Sequence, residues 1–164
     1  MIAINNTTRQ AVSLARTKKV VAAFLRIYKK FDYEVSIAII SAAAMKKLNS
    51  RYRGIDKTTD VLSFAPASGL SFGSAASPAT SRKAFRRGEK YLGEVIINPA
   101  ALKKTAAYKD IVSRSGQARS NPTPTTIFYF VLVHGLLHLL GRRDDTEKGR
   151  QEMLAEAKKF LAKI

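Results

Sequence analysis

Apolar and polar positions along this chain alternate with two different periods, and the switches between them mark out the elements. Ile2 to Asn5 alternates at every second residue, as a short half-buried strand does. From about Gln10 to Phe31 the period lengthens to that of a helix, with Val12, Leu14, Val20, Val21, Phe24, Leu25 and Tyr28 on one face. Tyr33 to Ile40 is dense in β-branched residues and reads as a buried strand. Ser41 is placed to cap a second helix containing Met45 and Leu48, and Gly54 is its natural stop. Val61 to Phe64 is a short strand closed by Pro66, and Tyr91 to Asn98 is a longer one. Pro99 opens a helix from Ala100 to about Val112, and the polar stretch Ser113 to Thr125, with its two prolines, reads as a loop. Thr126 to Leu140 is apolar on almost every side, a buried helix halted by Gly141. Thr146 to Lys163 is a closing amphipathic helix, with Met153, Leu154, Ala157, Phe160 and Leu161 on one side.

Between Ala67 and Lys90 no period persists. The stretch is rich in Gly, Ser, Ala and Arg and reads as an exposed insertion. No segment repeats another. The order of elements predicts an α+β fold, a single-domain layer sandwich spanning residues 1–164 in which a small mixed β-sheet of about four strands is covered by about five helices. The helix from Thr126 is expected under the sheet, with its polar side chains opening onto a cleft.

Charge changes this picture more than composition does. The chain has 164 residues, of which 46% are hydrophobic, enough to build an ordinary core without disulfides or metal. Its 29 Lys and Arg face 12 Asp and Glu, for a net charge of +17. A surface of that sign attracts polyanions, nucleic acid above all, by counterion release, although a solvated face has the same composition. With no cysteine, thiolate nucleophiles, disulfides, Cys-ligated zinc and iron–sulfur clusters are excluded. The opening MIAINNTTRQ lacks the basic and apolar blocks of a secretory signal. The longest apolar run, Ile127 to Leu140, would reach about 21 Å as a helix, short of the roughly 30 Å of a bilayer core. A cytoplasmic protein without membrane attachment is the expectation.

Chemistry concentrates in His134-Gly-Leu-Leu-His138, which holds both histidines of the chain. Four residues on a helix turn the chain by about 400°, so the two imidazoles leave one face and can share a metal ion. Gly135 stands where the glutamate of H-E-x-x-H would be, which disfavours a zincin-type protease. A third ligand is needed, and Asp144 and Asp145 follow in the return loop.

These residues, with two further blocks, resemble the YbeY endoribonucleases, metal-dependent enzymes of ribosomal RNA maturation. His134-Gly-Leu-Leu-His138-Leu-Leu-Gly141 is similar to the family signature, Leu48 to Phe64 looks like its second motif, and Tyr91 to Ile97 resembles its L-G-D-I strand with Glu94 in place of Asp. The family pattern closes with G-Y-D-H, whose histidine is the third ligand; here the chain reads Gly141-Arg142-Arg143-Asp144-Asp145. Without a gap Asp144 takes the ligand position, and with one inserted residue Asp145 does.

The resemblance implies a metal site of His134, His138 and Asp144 holding one divalent ion, with zinc the default. A carboxylate in the set shifts preference towards manganese or iron, and nickel is a further possibility. It also assigns Arg53 as the arginine facing the metal, able to clamp a scissile phosphate. As implied partners it gives single-stranded RNA and ribosomal RNA, the small ribosomal subunit, a ribosomal protein and a ribosome-assembly GTPase. The implied work is 16S ribosomal RNA 3′-end maturation and ribosome quality control. A non-catalytic ribosome-associated RNA-binding factor with a degenerate metal site is the alternative. Arg82, Lys83, Arg86 and Arg87 form the densest basic run and are the candidate RNA track.

Overall fold

Strand residues alternate between two apolar environments, and that alternation fixes a layer on each side of one sheet. The computed structural model describes residues 1–66, 90–102 and 123–164. Its strands are β1 (Ile2–Asn6), β2 (Glu34–Ile39), β3 (Val61–Phe64) and β4 (Tyr91–Ile97), hydrogen-bonded in the order β1-β2-β4-β3. β1, β2 and β4 run parallel, and β3 is antiparallel to β4 with Leu62 opposite Ile96. The described helices are α1 (Leu14–Ile27), α2 (Ala42–Arg53), the short α3 (Pro99–Leu102), α4 (Pro124–Leu139) and α5 (Glu147–Leu161). The fold is the expected α+β arrangement of a mixed four-stranded sheet and helices.

Val35, Ile37 and Ile39 of β2 and Val95 and Ile97 of β4 face the larger core, shared with α1, α4 and α5. Ala38 and Ile96 point the other way, into a smaller core with Met45 of α2 and Leu62 of β3. α4 is buried at every position from Ile127 to Leu137, as a stretch apolar at almost every position requires. It is the helix against which the sheet, α1 and α5 all pack, so whatever projects from its C-terminal turn is held rigidly.

Capping side chains moved three helix starts from where periodicity placed them. α1 begins at Leu14 rather than near Gln10, because the Ser13 hydroxyl accepts the Arg16 N–H at 3.3 Å. α4 begins at Pro124, two residues early: Thr123 accepts the Thr126 N–H at 3.2 Å and proline suits the first turn. Thr146 accepts the Gly149 N–H at 3.1 Å and so caps α5 rather than joining it. The insertion at about 67–90, apart from Lys90, and the helix expected beyond Leu102 lie outside the described residues, as do Arg82, Lys83, Arg86 and Arg87.

Candidate metal centre

The last turn of α4 and the chain reversal after it build the site. α4 ends at Leu139, and Gly141 adopts φ +83°, a left-handed conformation that side-chain-bearing residues rarely take. The Gly141 N–H then donates to the His138 carbonyl at 2.9 Å and the Arg142 N–H to the Leu137 carbonyl at 3.1 Å. This pair of bonds is the Schellman closure, and it folds residues 142–146 back over the helix end.

The reversal delivers Asp144 to the histidines. His134 Nε2 lies 3.2 Å from His138 Nε2, and Asp144 Oδ2 lies 3.4 Å from the first and 3.7 Å from the second. A tetrahedral ion with ligands at about 2.0–2.1 Å spaces its donor atoms about 3.3–3.4 Å apart, so this triangle is of the size a metal requires. The three side chains are a group that could hold a metal ion. Asp145 goes elsewhere, its carboxylate 3.1 Å from the Arg143 guanidinium.

Each donor is prepared differently. His134 is 6% exposed, and burial is the largest cause holding its pKa below the ordinary histidine value. The neighbouring His138 lowers it further, against upward pulls from Asp144 and Asp60. A neutral imidazole is the form that binds metal. His138 Nδ1 lies 3.0 Å from the Arg142 carbonyl, which can only accept; in the neutral, metal-binding form the proton therefore sits on Nδ1 and Nε2 is left towards Asp144. The two Nε2 atoms and the Asp144 carboxylate thus converge, and a cation between them would engage all three at once. His138 and Asp144 have side chains 28% and 40% exposed, so the site opens to solvent on one side.

Side chains beyond the triangle hold it in place. Arg142 reaches Glu156 of α5 at 3.2 Å, and Glu156 accepts the Tyr28 hydroxyl at 2.9 Å. Burial and Glu156 push the Tyr28 pKa up to about 12, so the phenol stays protonated and donates. Gly135 lets α4 touch the sheet: a Cβ there would meet Val95 Cγ1 at 2.6 Å, and the Ser63 hydroxyl donates to the Gly135 carbonyl at 3.0 Å. No glutamate fits at this position, which accounts for the missing H-E-x-x-H base.

The segment between α2 and β3 is braced by two buried amides. Asn49 donates to the Lys57 carbonyl at 2.7 Å, and Asn98 donates to Thr58 Oγ1 at 3.0 Å and to the Thr59 carbonyl at 3.1 Å. Asp60, at its end, accepts the Val61 N–H at 2.9 Å and is close enough to His134 to raise its pKa. Its sequence signal is a carboxylate at the Thr59-Asp60-Val61 turn into β3. Arg53 is the last residue of α2, exposed, with its guanidinium in no ion pair among the described residues.

Comparison with known proteins now decides the family. The family described as Endoribonuclease YbeY matches residues 3–164. The chain belongs to the YbeY family of endoribonucleases. Relatives of that name include one from Moorella thermoacetica, 36% identical over 81% of this chain and 74% of the relative. Another, from Leptospira interrogans, is 36% identical over 74% of this chain and 77% of its own. The solution structure of TM1509 from Thermotoga maritima covers 98% of this chain and 87% of that one, with a TM-score of 0.54 at 23% identity, and shares the fold. Among the described residues no helix is long and apolar enough to cross a membrane.

Proposed function

We propose that this YbeY-family chain is a metal-dependent single-strand endoribonuclease acting in 16S ribosomal RNA 3′-end maturation and ribosome quality control. It would work in the cytoplasm on the small ribosomal subunit, with a ribosomal protein and a ribosome-assembly GTPase as partners. The observation that carries the reading is the triangle of His134, His138 and Asp144 with donor separations of 3.2, 3.4 and 3.7 Å. A divalent ion bound there supplies Lewis acidity towards a phosphoryl oxygen.

The chain's own residues do the rest. His134 contributes a neutral nitrogen because burial disfavours its cation. His138 is locked in one tautomer by the Arg142 carbonyl. Asp144 brings a negative charge that the family's third histidine does not, which lowers the net charge of the loaded site by one. Zinc is the default ion, and the carboxylate favours harder ions such as manganese or iron. Arg53, free of ion pairs among the described residues, clamps the scissile phosphate and stabilises its developing charge. The attacking group is water or the RNA 2′-hydroxyl, and a cyclic phosphate on the product marks the second.

The test is metal analysis of protein purified without chelator, paired with cleavage of a single-stranded RNA. Wild type and Asp144→His should carry stoichiometric metal, and Asp144→Ala should lose metal and cleavage together. Asp145→Ala should lose neither. RNA binding without metal and without cleavage would instead establish a binding factor.

A further inference from the structure

A groove of about 910 Å³ runs between α1, the start of β1 and the turn that precedes β2. Its floor includes the small Ala22 and Ala23, and its charged lining is Lys18, Lys19 and Arg26, with no acidic side chain. None of the three cations is in an ion pair among the described residues. Phe31 stands at one end, 77% exposed, an unusual position for a large apolar ring. The two acids nearest in sequence are occupied: Asp32 is bound by the Lys90 ammonium, and Glu34 lies 3.6 Å from the Met1 amino group. The Lys90 contact holds the Asp32 pKa down, so that carboxylate remains an ion paired to a cation and adds no net repulsion. Lys30 lies over the Tyr33 ring at 4.7 Å, adding a further positive charge to the rim.

Cations along a shallow track with an exposed aromatic at its end are what a single-stranded nucleic acid requires: the amines follow phosphates and the ring stacks a base. An acidic protein segment would use the cations but gain little from an isolated exposed ring. We propose that the α1 groove, through Lys18, Lys19, Arg26 and Phe31, is a second RNA-binding track that holds substrate RNA remote from the cleavage site. The inference rests on the reading above that the chain acts on RNA.

The experiment is fluorescence anisotropy with a labelled 20-nucleotide single-stranded RNA across a salt series, using the full chain. Lys18→Glu/Lys19→Glu/Arg26→Glu should weaken binding at least tenfold. It should also reduce the slope of log affinity against log salt by about two, because each phosphate neutralised on a single strand contributes about 0.7. Phe31→Ala should weaken binding by roughly five- to hundred-fold with the slope unchanged, the signature of lost stacking. Both variants should keep wild-type metal content and cleave a short oligonucleotide at the wild-type kcat. Unchanged RNA affinity and slope in the triple variant would overturn the proposal while leaving the enzyme reading intact. So would an unchanged RNA affinity accompanied by lost binding of an acidic peptide. A wild-type chain that neither binds nor cleaves RNA would remove the underlying reading itself. If the triple reversal fails to fold by circular dichroism, the Lys18→Gln/Lys19→Gln/Arg26→Gln variant carries the same slope test.

Discussion

Replacing Gly135 with alanine adds one methyl group where α4 meets the sheet, and the geometry sets its cost. The new Cβ would lie 2.6 Å from Val95 Cγ1, 3.1 Å from Ser63 Oγ and 3.2 Å from Val61 Cγ2. Carbon atoms rest about 3.5–4.0 Å apart, so the closest approach is short by about 1 Å. Val95 cannot turn aside, being β-branched and fully buried in the middle of β4. The helix must therefore lift. Overpacking of this kind costs about 1–3 kcal/mol. Weakening the Ser63 bond to the Gly135 carbonyl adds about 1 kcal/mol, and alanine's better helix propensity returns about the same.

The net loss of about 1–3 kcal/mol corresponds to a fall in Tm of roughly 3–10 °C for a domain of this length. Thermal unfolding in the presence of chelator separates this packing effect from metal binding. The second readout is metal affinity by competition with a chromogenic chelator. His134 adjoins Gly135, so the lift displaces one corner of the triangle, and affinity should fall about tenfold or more. A Gly135→Ala protein that melts at or above wild type and binds metal as tightly would refute the packing argument.

Other outcomes follow from the same geometry. Glu156→Gln and Tyr28→Phe should each preserve the fold and weaken metal affinity by roughly ten- to hundred-fold, since both loosen the Arg142 anchor behind His138; unchanged affinity would make the network ornamental. In chelator-treated protein, the lowered His134 pKa should give full stability above about pH 6.5, where the unfolded imidazole is also neutral. That stability should decline as pH drops below the unfolded value towards the lower folded one, and urea midpoints that rise on acidification would contradict it. Arg53→Ala should keep its metal and lose on the order of a hundred- to thousand-fold in turnover, whereas wild-type turnover would reduce Arg53 to a helix-end cation.

Much of this architecture was legible because the signals were local. The spacing of His134 and His138 fixes their common face whatever the tertiary context, and a stretch apolar at almost every position, as in α4, can only be buried. The reversal at Gly141 was readable from the glycine. The choice between Asp144 and Asp145 was not, since it turns on a loop path and on Arg143 capturing the second carboxylate. Helix starts were misplaced where a hydroxyl cap, at Ser13 or Thr123, overrode the apolar period. The Tyr28–Glu156–Arg142 chain joins residues 128 positions apart at its Tyr28–Glu156 bond, and no periodicity foreshadows a contact of that range. The strand order, with β4 between β2 and β3, likewise depends on long-range pairing.

The antiparallel pairing of β3 with β4 has a consequence for how the chain can vary. These strands are neighbours in the sheet, yet the stretch joining Phe64 to Tyr91 is far longer than a tight hairpin. The register of Val61 against Ile97 and of Phe64 against Glu94 is set by the sheet and is indifferent to that length. Ser63 and Val95 therefore support α4 through strand pairing, and a substitution that breaks the register of β3 on β4 shifts that helix whatever the length of sequence between the strands.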